Sequence, residues 1–349
     1  SIVNPAKAGP FDLQEGRPVV VRATIEIDPH TAALTISAGQ IPQIIDGFPL
    51  QIKHVNVLVN RPGFTFNPSN CNPQAITGTV GSWEGASSPV SIPLQVTNCA
   101  LLKFEPKVSV SAAGHASKRY GQTLNFKISY PKGAMGLDSW FKEARFDIPK
   151  QLPAELKTIQ QACLAHTFET DRAACPKHSI IGHALVHTEV LPVPLEGPVY
   201  FVSYGGQKFP DAVLVLSGYG ITVELAGETF IDNKTGVTSA TFPSTPDVPF
   251  ESIEVNLPTG EYSEFGSNLP HESYDFCGQK LKMPTLFQAQ NGLEIHEETP
   301  VAVTGCAKAK TRAQKLALAL KSCHKQHGGK RSRCERTARK RYGPTKKKG

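Results

Sequence analysis

The chain has 349 residues, 40% of them apolar and 19% charged, which suffices for ordinary cores and makes two domains the default. Its longest purely apolar runs, residues 212–216 and 316–320, are far too short to span a bilayer, and the first residues lack the charged start and apolar stretch of a signal peptide. The net charge of +7 is segregated, because residues 307–349 hold 16 Lys or Arg against Glu335 alone, a net +15, while the first 306 residues carry −8.

In chain order, residues 19–27 end in an alternation of apolar with polar side chains, as do residues 34–36 and 52–59, the period of a half-buried strand. Cys71 and Cys277 are each followed by a strand, a turn (Glu84-Gly85 and Asn291-Gly292) and a second strand that ends at Cys99 and Cys306. Pro153 opens the one predicted helix of the body, near 154–165, on which Leu156, Ile159, Ala162 and Cys163 recur at helical spacing. Short β-branched or aromatic runs follow at residues 199–202, 212–216 and 221–225, bounded by Gly, Pro and Asn. Many short strands separated by turns, with 28 Pro and 29 Gly, predict a mainly β, antiparallel sandwich-like fold. Residues 308–323 are rich in Ala, Leu and Lys; Gly328-Gly329 breaks this predicted helix, and residues 332–342 predict a second one that Gly343-Pro344 stops. Residues 346–348 read as a disordered end.

Residues 20–99 read as a partial second copy of residues 222–306. Ile27-Asp28, a turn and Thr31 match Ile231-Asp232, a turn and Thr235; residues 49–56 match 249–256 at identical spacing; Cys71 and Cys99 match Cys277 and Cys306. The offset drifts only from 200 to 207. Repeats of this size are modules in series. The second copy is preceded by about 100 residues that the first lacks, so the first module reads as incomplete, with an open edge that invites association.

The eight cysteines fall into sequence-local pairs, and one explanation covers them all: disulfides joining Cys71 to Cys99, Cys163 to Cys175, Cys277 to Cys306 and Cys323 to Cys334. Each contributes about 2–4 kcal/mol by restricting the unfolded chain, and together they imply an oxidising, extracellular location. Zinc is the competing reading at one place, where Cys163 with His166 and Cys175 with His178 form a doubled CxxH. His183, His187 and Glu189 share one side of a predicted strand nearby, so a metal is geometrically possible there, although solvent-facing histidines are the simpler reading.

No catalytic or nucleotide-binding motif is complete: Gly218-Tyr219-Gly220 lacks the third glycine and the helix of a dinucleotide fingerprint. Asn233-Lys234-Thr235 is a glycosylation sequon in a predicted turn, with the bare turn as the simpler reading. Trp140, Phe141 and Phe146 read as core aromatics, with a sugar-binding platform near Trp140 or Trp83 as the sharper alternative. In the tail, Lys321, Lys325, Lys330, Arg331, Arg333, Arg336, Arg339, Lys340 and Arg341 supply sequence-independent, salt-sensitive affinity for polyanions, an anionic envelope polymer or extracellular DNA.

Several segments carry a resemblance: residues 5–13, residues 60–68, Cys175-Pro176 with residues 179–182, residues 195–200, residues 246–249 and the basic tail with its two cysteines. Together they resemble large secreted repeat proteins of unknown function predicted from actinobacterial genomes. The resemblance covers nearly the whole chain. It implies that the segment like residues 5–13 lies inside a longer polypeptide, and it brings no activity, cofactor or catalytic residue.

The sequence therefore predicts two sandwich-like modules and a basic clip. Residues 1–103 would be the C-terminal part of one module, residues 104–306 a complete one, and residues 307–349 a disulfide-clipped helical hairpin. The function expected is a non-enzymatic, extracellular structural or adhesive protein of the cell envelope. It would self-associate, by strand complementation that could propagate into a filament, with other copies or a cleaved fragment of the same precursor. No cofactor, metal or membrane span is expected. An extracellular carbohydrate- or ligand-binding module is the second expectation.

Overall fold

Eleven strands close on one another to form a barrel in the computed structural model. The structure describes residues 2–3, 7–8, 11–12, 19–45, 47–49, 65–307 and 311–343; the predicted strand at 52–59 and the end at 346–348 lie outside them. The barrel strands are β1 (Lys107–Ala113), β2 (Leu124–Ser129), β3 (Phe141–Asp147), β4 (Ile180–His187), β5 (Leu195–Ser203) and β6 (Asp211–Gly218). They continue with β7 (Ile221–Ile231), β8 (Thr238–Phe242), β9 (Ser252–Leu257), β10 (Leu281–Ala289) and β11 (Glu294–Thr304). Around the ring the order is β5, β4, β9, β2, β1, β11, β10, β3, β8, β7, β6 and back to β5. A closed ring with an odd number of strands cannot alternate direction throughout. Here the mismatch falls between β1 and β11, which run parallel, with Val110 opposite Val301.

This corrects the expected pair of β-sandwich modules: residues 107–304 form one barrel. Sandwiches and barrels share period-two patterning and turn spacing along each strand. They differ in whether distant strands meet, and the β1–β11 pairing that closes this ring joins residues about 190 apart in the chain.

The alternation sorts side chains into an apolar inside and a charged outside. Phe126 and Ile128 of β2 and Ile253 and Val255 of β9 turn inward, while Lys127 and Glu254 pair across the outer face at 2.6 Å. On β10 and β11, Met283 and Val301 are buried, whereas Lys282 and Glu298 pair outside at 2.8 Å. A lipid-embedded barrel would carry its apolar face outward instead. No helix among the described residues is long and apolar enough to cross a membrane.

β6 is buried on both faces, which accounts for its continuous apolar run. Ala212, Leu214 and Leu216 face the inside. Val213 and Val215 pack outward with Tyr200, Val202, Cys163 and Phe168. Phe168 belongs to helix α2 (Ala165–Thr170), so the helical crossover covers the outside of β5 and β6. The helix predicted near 154–165 is broken instead. One turn, α1 (Leu156–Ile159), is followed by an extended Cys163–Leu164 that pairs with Val202 and Ser203 of β5, because burying Cys163 against β5 outweighs four-residue periodicity. Gly197 permits the close approach of β5 to β6, since a Cβ there would collide with the carbonyl oxygen of Val215.

Ahead of the barrel, besides three pairs of two-residue strands, lie two longer hairpins, Ala23–Ile27 with Leu34–Ala38 and Gln74–Gly81 with Ser87–Leu94. Nearly every residue in them is exposed. The chain divides into two units, residues 1–304 and 305–349. The second unit is a helical hairpin of α3 (Arg312–Cys323) and α4 (Gly329–Tyr342). Thr311 and Gln314 form a reciprocal capping box that starts α3, and Cys323–Cys334 clips the two helices together.

Candidate ligand cavity

An eight-stranded barrel is just wide enough for its own side chains to fill, and each added strand widens it. With eleven strands, and with small Ala144, Ala212, Ala240, Thr229 and Thr238 among the inward residues, the centre stays open. The cavity measures about 380 Å³ and is walled mainly by aliphatic and aromatic carbon, including Phe146, Val199, Leu214, Leu225 and Phe242. This volume lies within the range of small-molecule sites.

One end is closed by the loop after β9. Gln122 N–H donates to Phe265 O at 2.8 Å, Glu155 N–H to Glu264 O at 2.8 Å and the Thr158 hydroxyl to Ser263 O at 2.7 Å. These bonds hold Phe265 and Glu264 against the lumen, beside Leu257. Glu264 is 8% exposed, and burial raises its carboxyl to about 8, so it is neutral at pH 7. Its Oε2 has no hydrogen-bond partner among the described residues. A neutral carboxyl offers one O–H donor and a carbonyl acceptor, the kind of isolated polar group that orients a ligand in an apolar pocket.

The side wall has a gap that the first hairpin borders. β8 pairs only with residues 228–231 of β7, so residues 221–227 run on without that neighbour. There Glu224 N–H donates to Pro29 O at 2.7 Å, and Ile27, Ala32 and Leu34 from the hairpin tip complete the cavity wall. Phe66 joins them. Its segment is pinned by Asp247, whose carboxylate accepts from the Ser69 hydroxyl at 2.6 Å, Ser69 N–H at 2.7 Å and the Asn70 side-chain amide at 2.9 Å. The Ser69 hydroxyl in turn accepts from Trp140 N–H at 3.0 Å.

The cysteines are all oxidised. Cys71–Cys99, Cys163–Cys175 and Cys323–Cys334 are bonded, and Cys277 and Cys306, disulfide-bonded as well, complete the set. The doubled CxxH therefore has no thiolate to offer zinc. His178 stacks on Tyr262 with ring centres 4.0 Å apart. His183 is exposed and His187 half-buried. His115, Asp275 and Cys277 come within ligand-like spacing, but Cys277 is in a disulfide and has no thiolate either. Trp140 is 4% exposed and packs edge-on to Tyr130, so it is core and not a sugar platform; Trp83 is exposed at a hairpin turn. In the sequon, Lys234 and Thr235 donate their N–H groups to Asp232 at 2.9 and 2.7 Å, the turn reading.

In the second unit, Lys321 lies on α3, Lys325 just beyond it, and Lys330, Arg331, Arg333, Arg336, Arg339, Lys340 and Arg341 on α4. Glu335 accepts from Arg331 at 2.9 Å, a pairing that draws its carboxyl below the usual range. Lys330, Arg333 and Arg341 line a shallow cleft beside the Cys323–Cys334 bridge.

The cavity and Glu264 were not among the residues the sequence singles out. Glu264 lies in Ser263-Glu264-Phe265-Gly266, where nothing marks one acid of thirty as buried. No protein-family model, curated protein or solved structure matches the chain.

Proposed function

We propose that this is a secreted, non-enzymatic binding protein that takes an apolar ligand into the barrel and is anchored to an anionic envelope polymer by its basic helical hairpin. The observation that carries the reading is the apolar lumen of about 380 Å³ with one carboxyl, Glu264, buried in its wall and held neutral there by burial. Burial of an apolar chain drives association, at roughly 25 cal/mol per Å² of carbon surface removed from water. Glu264 hydrogen-bonds a hydroxyl or carbonyl on the ligand, so the ligand class is a hydrocarbon chain or ring system with a single polar head. The disulfides support an oxidising location, which agrees with an extracellular carrier. The adhesive reading comes second, favoured by the exposed N-terminal hairpins.

The test is displacement of an environment-sensitive apolar dye by a long-chain alcohol, on the whole chain and on two lumen-filling variants, Ala240→Trp and Ala144→Leu. The wild type should take up the dye and both variants should lose it while remaining folded. Dye binding that is absent in the wild type, or unchanged in both variants, overturns the reading.

A further inference from the structure

Apart from the tip residues Ile27 and Leu34, which reach the cavity wall, the two N-terminal hairpins present apolar faces to solvent, and the barrel contains both hairpins in a completed form. In the first, Ile25 lies opposite Ile36 and Ile27 opposite Leu34, so these share one face, while Thr24, Glu26, Thr35 and Ser37 share the other. In the second, Ile76 lies opposite Ile92, with Leu94 on the same face, and polar or small residues behind. Ile25, Ile36, Ile76, Val80 and Ile92 are each at least half exposed.

The turns identify the counterparts. Asp28 accepts from Thr31 N–H at 2.7 Å and its hydroxyl at 2.8 Å; Asp232, between β7 and β8, accepts from Thr235 at 2.7 and 2.9 Å. Ser82 N–H donates to Ala86 O at 2.7 Å and Gly85 N–H to Ser82 O at 3.1 Å; between β10 and β11, Ala289 donates to Leu293 at 2.8 Å and Gly292 to Ala289 at 3.0 Å. Carried over through these turns, residues 25, 34, 36 and 38 fall on 229, 238, 240 and 242, which line the cavity. Residues 76, 80, 92 and 94 fall on 283, 287, 299 and 301, which are buried in the barrel. The exposed apolar faces are thus the inner faces of barrel strands. In the barrel, β8 and β10 both pair with β3, where Ala144 lies opposite Phe242 on one side and Phe287 on the other. Among the described residues, neither hairpin is paired with a further strand.

We propose that residues 19–99 are half of a second barrel, completed by a segment of the β1–β6 kind that is not already closed in a barrel of its own, patterned like residues 104–218, whose third strand enters between the hairpins. A second intact copy is not the occupant, because its β1–β6 are already closed against β9, β10, β11, β8 and β7. The inference stands independently of the ligand reading.

The probe is a separately tagged polypeptide of residues 104–220, co-expressed with the full chain in an oxidising compartment. Expected is a one-to-one complex in which amide exchange at residues 23–38 and 74–94 slows by about 100-fold or more, towards that of 221–242 and 281–304. Exchange at the hairpins that is unchanged by the probe overturns the proposal. So does a complex that alters exchange only in residues 221–304, or a dimer of the full chain alone that protects the hairpins. Should the free probe precipitate, residues 104–220 are fused ahead of residue 19, where effective concentration replaces affinity. In that fusion the hairpins should gain the same protection, and Ala144→Pro in the added segment should cancel it by breaking the β3 ladder. Hairpins that still exchange freely in the fusion sink the idea.

Discussion

Replacing Glu264 by glutamine should flatten the pH dependence of stability. The carboxyl titrates near 4.5 when the chain is unfolded and about 8 in the barrel, where burial disfavours its charge. The folded state therefore holds a proton that the unfolded state releases between these values. Stability from this group is full below about pH 4.5 and falls as pH rises to about 8, at roughly 1.4 kcal/mol per pH unit, or about 5 kcal/mol in all. An amide side chain cannot ionise, so E264Q loses none of it. The assay is guanidinium unfolding at intervals from pH 4.5 to 8.5, comparing midpoints at matched slope. Asp138 and Asp211, also raised by burial, act in both proteins and cancel in the difference. E264Q should unfold at increasingly higher denaturant than wild type as pH rises, with the gap widest near pH 8. Parallel profiles across the range would refute a buried, neutral Glu264.

Four further outcomes are expected. Trp140→Ala should cost about 3–5 kcal/mol and leave any glycan binding untouched, because Trp140 fills core space beside Tyr130 and Phe250; thermal unfolding and a glycan array check both halves. Gly197→Ala should destabilise by at least about 2 kcal/mol by forcing β5 away from β6, read by the unfolding midpoint. Asp247→Ala removes the shared acceptor of Ser69 and Asn70, so amide exchange at residues 65–72 should speed at least about 10-fold while β10 and β11 keep their protection. Removal of residues 307–349 should abolish binding to DNA or anionic polymer at low salt, and in the full chain that binding should fall steeply between roughly 50 and 200 mM salt.

Local order was legible where one segment carries its own signal. The strands around 199–202, 212–216 and 221–225, the turns at Glu84-Gly85 and Asn291-Gly292, and the helix break at Gly328-Gly329 all coincide with structural features, because turn chemistry and period-two patterning act within a few residues. Ring closure was not legible. Val110 and Val301 each satisfy the pattern of an inward strand residue, and nothing in either segment names the other. The helix near 154–165 failed for a related reason: Leu156, Ile159 and Cys163 are spaced for a helix, but Cys163 is used by a strand and a disulfide. The cavity escaped because a void is defined by what surrounds it, and Glu264 became distinctive only once Phe265 and Leu257 enclosed it. The turns at Asp28 and Asp232 were the exception, a likeness between distant segments that sequence did carry, since each is built by an Asp and a Thr three residues on.

The parallel seam between β1 and β11 also sets a clock on folding. β1 is complete at Ala113, yet its second neighbour does not exist until about 190 residues later. At typical synthesis rates of about 5–20 residues per second, β1 waits roughly 10–40 s with one edge bare, and closing so long a loop is slow in its own right. During that interval the chain is an open sheet with an oily inner face, able to take a wrong strand from a neighbour. A substitution that weakens β11, such as Val301→Asp, would therefore act less on the finished barrel's rate of opening than on the yield of chains that ever close it.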